Sequence, residues 1–182
     1  AELAGGGRGA IVMDANSVID LIKLDVLPVV PKASGYVFLI TEEVTSEIKW
    51  DKQRNVLQKI INARLIWRVS LNDIEELKLF SELTTTLDIG EAASLAYARY
   101  HNCYILSDEN NRAFMREVRR IITEHRLKRT PELLVETIRT RSLSLSDLKR
   151  RIDYLRKKVS TQRDADDICH FENVLKEIER ML

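Results

Sequence analysis

A chain of 182 residues, 45% hydrophobic and 31% charged, has the length for one domain or one domain with an appendage, and the composition to build a core. Six Gly and three Pro exclude a collagen-like or Gly/Pro-rich linker protein, and no apolar run reaches the ~18 residues of a membrane span. The formal charge of +1 conceals a division: residues 1–111 carry 11 Lys+Arg against 16 Asp+Glu, and residues 112–182 carry 18 against 12. Carboxylates in front and cations behind suit a site that holds metal ions and phosphates. Basic residues decorating solvated helix faces explain the same bias. Cys103 and Cys169 lie far apart, and with three scattered His they form no zinc spacing; they suit free thiols in a reducing cytosol.

Residues 1–9, with their glycines and no apolar h-region, read as a flexible leader and not a secretory signal. Ala10–Met13 reads as a buried strand ending at Asp14. Ser17–Leu24 reads as a short helix capped by Asn16 or Ser17. Pro28 and Pro31 break the chain before a second apolar strand, Tyr36–Ile40. Thr41 can cap the helix carrying Glu43 and Glu47. Helices follow at Val56–Ala63, Asp73–Leu83, Asp88–Tyr100 and Arg112–Arg120. Strands are expected at Ile66–Val69 and Tyr104–Leu106, with a short fifth at Ile121–Thr123.

Strands alternate with helices, and no hairpin dipeptide joins any pair. The fold class is therefore α/β, a central parallel sheet of four to five strands flanked by helices. Right-handed crossovers put the strand C-termini on one edge, where open α/β sheets bind ligands. The domain reading is a core at 10–129 and a helical extension at 130–182, opened by Thr130 at the N-cap and Pro131 behind it. In that extension Leu148, Ile152, Leu155 and Val159 form one stripe, and Ile168, Phe171, Leu175, Ile178 and Leu182 another. They suggest a helical hairpin packed on the core or on another subunit.

Chemistry concentrates in carboxylates at strand ends and helix starts: Asp14, Glu47, Asp88, Glu91, Asp108 and Glu109. Converging on one edge, they would repel unless protonated or bridged by hard divalent cations such as Mg²⁺ or Mn²⁺. Each has a plain alternative. Asp14 suits a turn, Glu47 a surface beside Glu43, Asp88 and Glu91 a capping pair, Asp108 a cap, and Asn16 a cap or a supporting amide. Arg112 is an ion-pair partner or a phosphate contact. The chain has no Ser-His-Asp or Cys-His arrangement, no P-loop and no dinucleotide fingerprint. A phosphatase built on an Asp nucleophile would want a second Asp two residues on, where Asn16 stands.

The segments IVMDANSVIDLIK (11–23), ITEEVTSEI (40–48), LDIGEAASLAYA (87–98) and ILSDENNRA (105–113) resemble the successive motifs of PIN domains, in order and spacing. The G-E-A form with D-E-x-x-R is similar to the prokaryotic branch of VapC-type toxin ribonucleases. The resemblance implies Asp14, Glu47, Glu91 and Asp108 as a catalytic, metal-binding quartet for Mg²⁺ or Mn²⁺, with Asn16, Asp88 and Glu109 in support. It implies an endoribonuclease acting on single-stranded or looped RNA, a cytoplasmic toxin with an antitoxin protein and a second copy of itself as partners, and no membrane. Arg112, Arg116, Arg150, Arg151 and Lys157 are the expected nucleic-acid contacts. The competing reading is a non-catalytic module that keeps the fold to bind nucleic acid or protein.

Overall fold

The computed structural model describes residues 7–182; the leader reading falls mainly on residues 1–6, outside the described residues. Five parallel strands, β1 (Ala10–Met13), β2 (Val37–Thr41), β3 (Ile66–Val69), β4 (Tyr104–Leu106) and β5 (Leu127–Lys128), lie in the order β3-β2-β1-β4-β5. The helices are α1 (Ala15–Lys23), α2 (Val30–Ser34), α3 (Glu42–Glu47), α4 (Asp51–Asn62), α5 (Ile74–Leu83), α6 (Ile89–His101), α7 (Arg112–Ile121), α8 (Thr130–Arg139), α9 (Leu145–Arg156) and α10 (Gln162–Met181). The strand order reverses direction at β1. The crevice beyond the β1 and β4 C-termini is thus the switch point where such sheets bind ligands.

The period-2 alternation of each strand sends its side chains to opposite faces. Ile11, Met13, Phe38 and Ile40 join one buried cluster with α1, α4 and α8–α10. Val12, Leu39 and Ile105 join the other, against α5–α7. On that second face Ala92, Ala93, Ala96 and Ala98 are fully buried, so α6 can lie close to the sheet.

Several local readings are corrected. Asp14 itself caps α1, its Oδ1 accepting from the Ser17 N–H at 2.7 Å, so the helix begins before Asn16 and Ser17. The fifth strand is Leu127–Lys128, not Ile121–Thr123. Ile121 and Ile122 are apolar because the end of α7 packs on the core, and Thr123 leaves the helix with φ at 74°. Arg129, not Thr130, occupies the N-cap of α8. The C-terminal stripes pack on the core, one of the two partners expected for them. Leu148, Ile152, Phe171, Val174 and Ile178 are buried in the same cluster as β1 and β2, so α9 and α10 complete the main core.

Candidate metal centre

Each carboxylate at the sheet edge is placed by a local rule of chain geometry. Asp14 leaves β1 in an extended conformation and turns into α1, which aims its side chain back at the new helix N-terminus. It is buried. Ser107, one residue past β4, donates its hydroxyl to Asp14 Oδ2 at 2.5 Å. Burial outweighs these hydrogen bonds and the helix start, and pushes the Asp14 carboxyl up to about 6.

Glu47 ends α3, a six-residue helix opened by Thr41, whose Oγ1 accepts from the Val44 N–H at 3.2 Å. Its Oε1 accepts from the backbone N–H of Gly90 at 2.8 Å, in the first turn of α6. The glycine leaves room for this carboxylate. A Cβ at position 90 would stand 2.6 Å from Glu47 Oε2 and 2.8 Å from Oε1. Asp88 caps α6, and the Glu91 carboxylate reaches back to the Asp88 N–H at 3.3 Å. Glu91 therefore does both jobs that the sequence left open: it serves its own helix end, and it faces the site. Burial, with Asp88, Glu109 and Asp14 nearby, pushes its carboxyl up to about 7.

Asp14, Asn16, Glu47, Asp88 and Glu91 line one cleft of about 340 Å³, with Ala15 and Ile89 and no cationic side chain. The donor set is oxygen only. Asp14 and Glu91 hold their protons well above the usual range, chiefly because burial disfavours their charge. Both observations fit a hard divalent cation.

The structure does not bring Asp108 into this cleft. Its Oδ1 accepts from the Thr130 N–H at 2.8 Å, drawn to the N-terminus of α8, and its Oδ2 is buried without a hydrogen-bond partner. Asp108 and Glu109 line an adjoining cavity of about 420 Å³, which shares Asn16 with the first. Asp108 is close enough to raise Asp14 by charge. Glu109 turns one oxygen to the N–H groups of Asn110 and Asn111, at 2.8 and 2.7 Å.

Of the expected nucleic-acid contacts, Arg112 opens α7 exposed, and Arg116 pairs with Glu117. Arg150 and Arg151 sit elsewhere. They line a cleft with Lys23, Leu24 and Asp25, Arg151 pairing with Asp25 and Arg150 with Asp147. That cleft is at the far end of α1 from Asp14, roughly 14 Å along the helix. Lys157 is the exposed C-cap of the same α9. The cause is packing: Leu148 and Ile152 bury one side of α9, which sets its basic side beside the end of α1.

The cations that do reach the edge were not singled out in the sequence. Arg129 donates to the carbonyls of Ser107 and Glu109, at 3.0 and 2.6 Å, and fixes the loop after β4. Arg163, Lys23 and His170 line the cavity beside Asp108. The Arg163 guanidinium also stands 5.8 Å over the ring of Trp50, an exposed side chain three residues beyond Glu47.

A family model described as a PIN domain matches residues 10–158. The chain belongs to the PIN-domain family. The match covers the sheet and all of the carboxylates above, runs on through α8 and α9, and stops before α10. No curated protein and no solved structure matches the chain. PIN domains are typically nucleases that act on nucleic acid and generally use divalent metals. Among the described residues, no helix of this PIN protein is long and apolar enough to cross a membrane.

Proposed function

We propose that this PIN protein is a Mg²⁺- or Mn²⁺-dependent endoribonuclease that hydrolyses phosphodiester bonds of single-stranded or looped RNA. The observation that carries the reading is the cation-free cleft lined by Asp14, Glu47, Asp88 and Glu91 at the switch point. Asp14, Glu47 and Glu91 would hold the ion, with Asp88 and Asn16 reaching it through water and Asp108 and Glu109 bordering the site. When bound, such an ion lowers the pKa of a coordinated water and offsets charge on the phosphate. The protein supplies no covalent nucleophile. Its part is to hold carboxylates fixed on strand ends and helix starts, and to steer the substrate.

Trp50 and Arg163 favour an unpaired strand. The exposed indole of Trp50, with Arg163 from the adjoining cavity over its ring, offers a surface against which an unstacked base can lie, and the guanidinium can meet the adjoining phosphate. A cytoplasmic toxin role, with an antitoxin and a second copy of the chain as partners, remains the extension of this reading that the VapC-like motifs suggest. The test is cleavage of labelled single-stranded RNA, duplex RNA and single-stranded DNA in Mg²⁺, Mn²⁺ and EDTA. Cleavage of single-stranded RNA that needs metal and vanishes in Glu91→Gln supports the proposal. Metal-independent binding without cleavage, equal in wild type and Glu91→Gln, supports the non-catalytic module instead.

A further inference from the structure

Three side chains from separate parts of the chain meet beside the carboxylate cleft without belonging to it. Asp20 lies in α1, Asp108 follows β4, and His170 lies in α10, outside the residues that match the PIN-domain model. One donor atom from each falls within 4.8 Å of the other two. His170 Nε2 is 2.8 Å from Asp20 Oδ2, and Asp108 brings a buried oxygen that no hydrogen bond satisfies. A tetrahedral ion with bonds of about 2.1 Å holds its ligand atoms roughly 3.4 Å apart, so side-chain shifts of about an ångström bring the three donors onto one ion.

The surroundings leave the trio short of positive charge. The cavity it borders also contains Glu109 and Asp167, against Lys23 and Arg163. Lys23 is already spent on Asp167, Nζ to Oδ2 at 2.6 Å. The cavity has room, about 420 Å³, for water or a substrate oxygen at the remaining coordination positions.

We propose that Asp20, Asp108 and His170 form a second cation site, which takes a first-row transition-metal dication and ties α10 to the sheet edge. The imidazole decides the class of ion. An all-oxygen cleft suits Mg²⁺, whereas two carboxylates and a nitrogen suit Zn²⁺, Co²⁺ or Mn²⁺. Three protein ligands with open positions are the pattern of a site that also receives an exogenous ligand. The proposal does not rest on the nuclease reading, because it concerns binding by residues outside that cleft.

The experiment uses the full, metal-stripped chain with Zn²⁺ alone and Co²⁺ alone. Bound metal is counted by elemental analysis after equilibrium dialysis, and the visible absorption of Co²⁺ reports nitrogen ligation. Wild type and Glu91→Gln, whose cleft is impaired, should both hold an equivalent with the nitrogen-type spectrum. His170→Gln and Asp20→Asn should lose it, with affinity falling at least about tenfold, since even outer-sphere partners of a metal are worth that much. Circular dichroism of both variants checks that they fold. Retention of the wild-type equivalent and spectrum in folded His170→Gln and Asp20→Asn overturns the site, as does absence of any Co²⁺ spectrum in wild type. Loss of RNA cleavage in Glu91→Gln is scored separately and tests only the nuclease reading.

Discussion

Replacing Asp14 with Asn should stabilise the metal-free protein at alkaline pH and lose that advantage in acid. Burial raises the Asp14 carboxyl from 3.8 to about 6 in the folded state. The folded protein therefore keeps this proton to a higher pH than the unfolded chain does. Stability from this group is fully present below about pH 4, falls as pH rises towards 6, and stays low above it. The loss is about 3 kcal/mol at 1.36 kcal/mol per pH unit. Asn has the shape of the neutral acid and can still cap α1 through its oxygen. Its amide cannot accept the Ser107 hydroxyl proton, which costs about 1 kcal/mol. At pH 8 in EDTA the net gain is about 2 kcal/mol, or roughly 4–8 °C in a domain of this size. At pH 4 wild type is itself neutral at this position, and Asn should be equal or slightly worse. Glu91 titrates in both proteins, so it cancels from the difference to first order. Thermal melts of the pair at both pH values measure it directly. A pH-independent gap, or an Asp14→Asn protein less stable at pH 8, would refute the account of a buried, uncompensated carboxylate. Adding Mg²⁺, which the all-oxygen cleft suits, should then raise the wild-type melting temperature and leave the variant's nearly unmoved.

Gly90→Ala should fold, since the clash falls on the flexible end of Glu47, yet displace that carboxylate; isothermal titration should show Mg²⁺ binding weakened by about tenfold, and unchanged binding would remove Glu47 from the site. Trp50→Ala should weaken single-stranded RNA binding by about 1–3 kcal/mol in a fluorescence-anisotropy titration while leaving Mn²⁺ affinity intact, and an equal loss for duplex RNA would argue against base stacking. Phe171→Ala, in α10, should destabilise the whole protein by about 3–5 kcal/mol in urea, because its ring is buried in the main core; a change below 1 kcal/mol would mark α10 as a loosely held appendage.

The sheet was legible because β1, β2 and β4 are short, apolar and largely buried, a pattern that survives without any knowledge of partners. Asp14, Asp88 and Glu91 were legible for a similar reason: each sits at a strand end or a helix start, which parallel topology sends to one edge, and Glu47 stays near that edge because α3 is only six residues long. Asp108 obeys the same rule, but a competing helix N-terminus at Thr130 turns its side chain aside, and no local pattern records that contest. Leu127–Lys128 was missed because two residues carry no period, whereas Ile121–Thr123 advertised apolarity that belongs to the end of α7. The basic residues of α9 suggest RNA contacts by their charge alone. Their direction depends on which side Leu148 and Ile152 bury, and that is decided by α8 and α10, not by α9. Asp20, Arg163 and His170 meet only in three dimensions, across 150 residues of chain between the first and the last.

The contact between Glu47 and Gly90 has a consequence for how such a chain can change over time. Helix α3 is too short to persist alone in water, so its place depends on what it leans on. The carboxylate proposed to hold the metal is thus also a joint between two helices 43 positions apart. A bulkier residue at 90 is tolerable only if the acid at 47 shortens or withdraws, and withdrawal forfeits the ligand. The two positions should therefore drift as a pair through descent, with the glycine persisting wherever the glutamate is still in use and released from constraint wherever that contact has been abandoned.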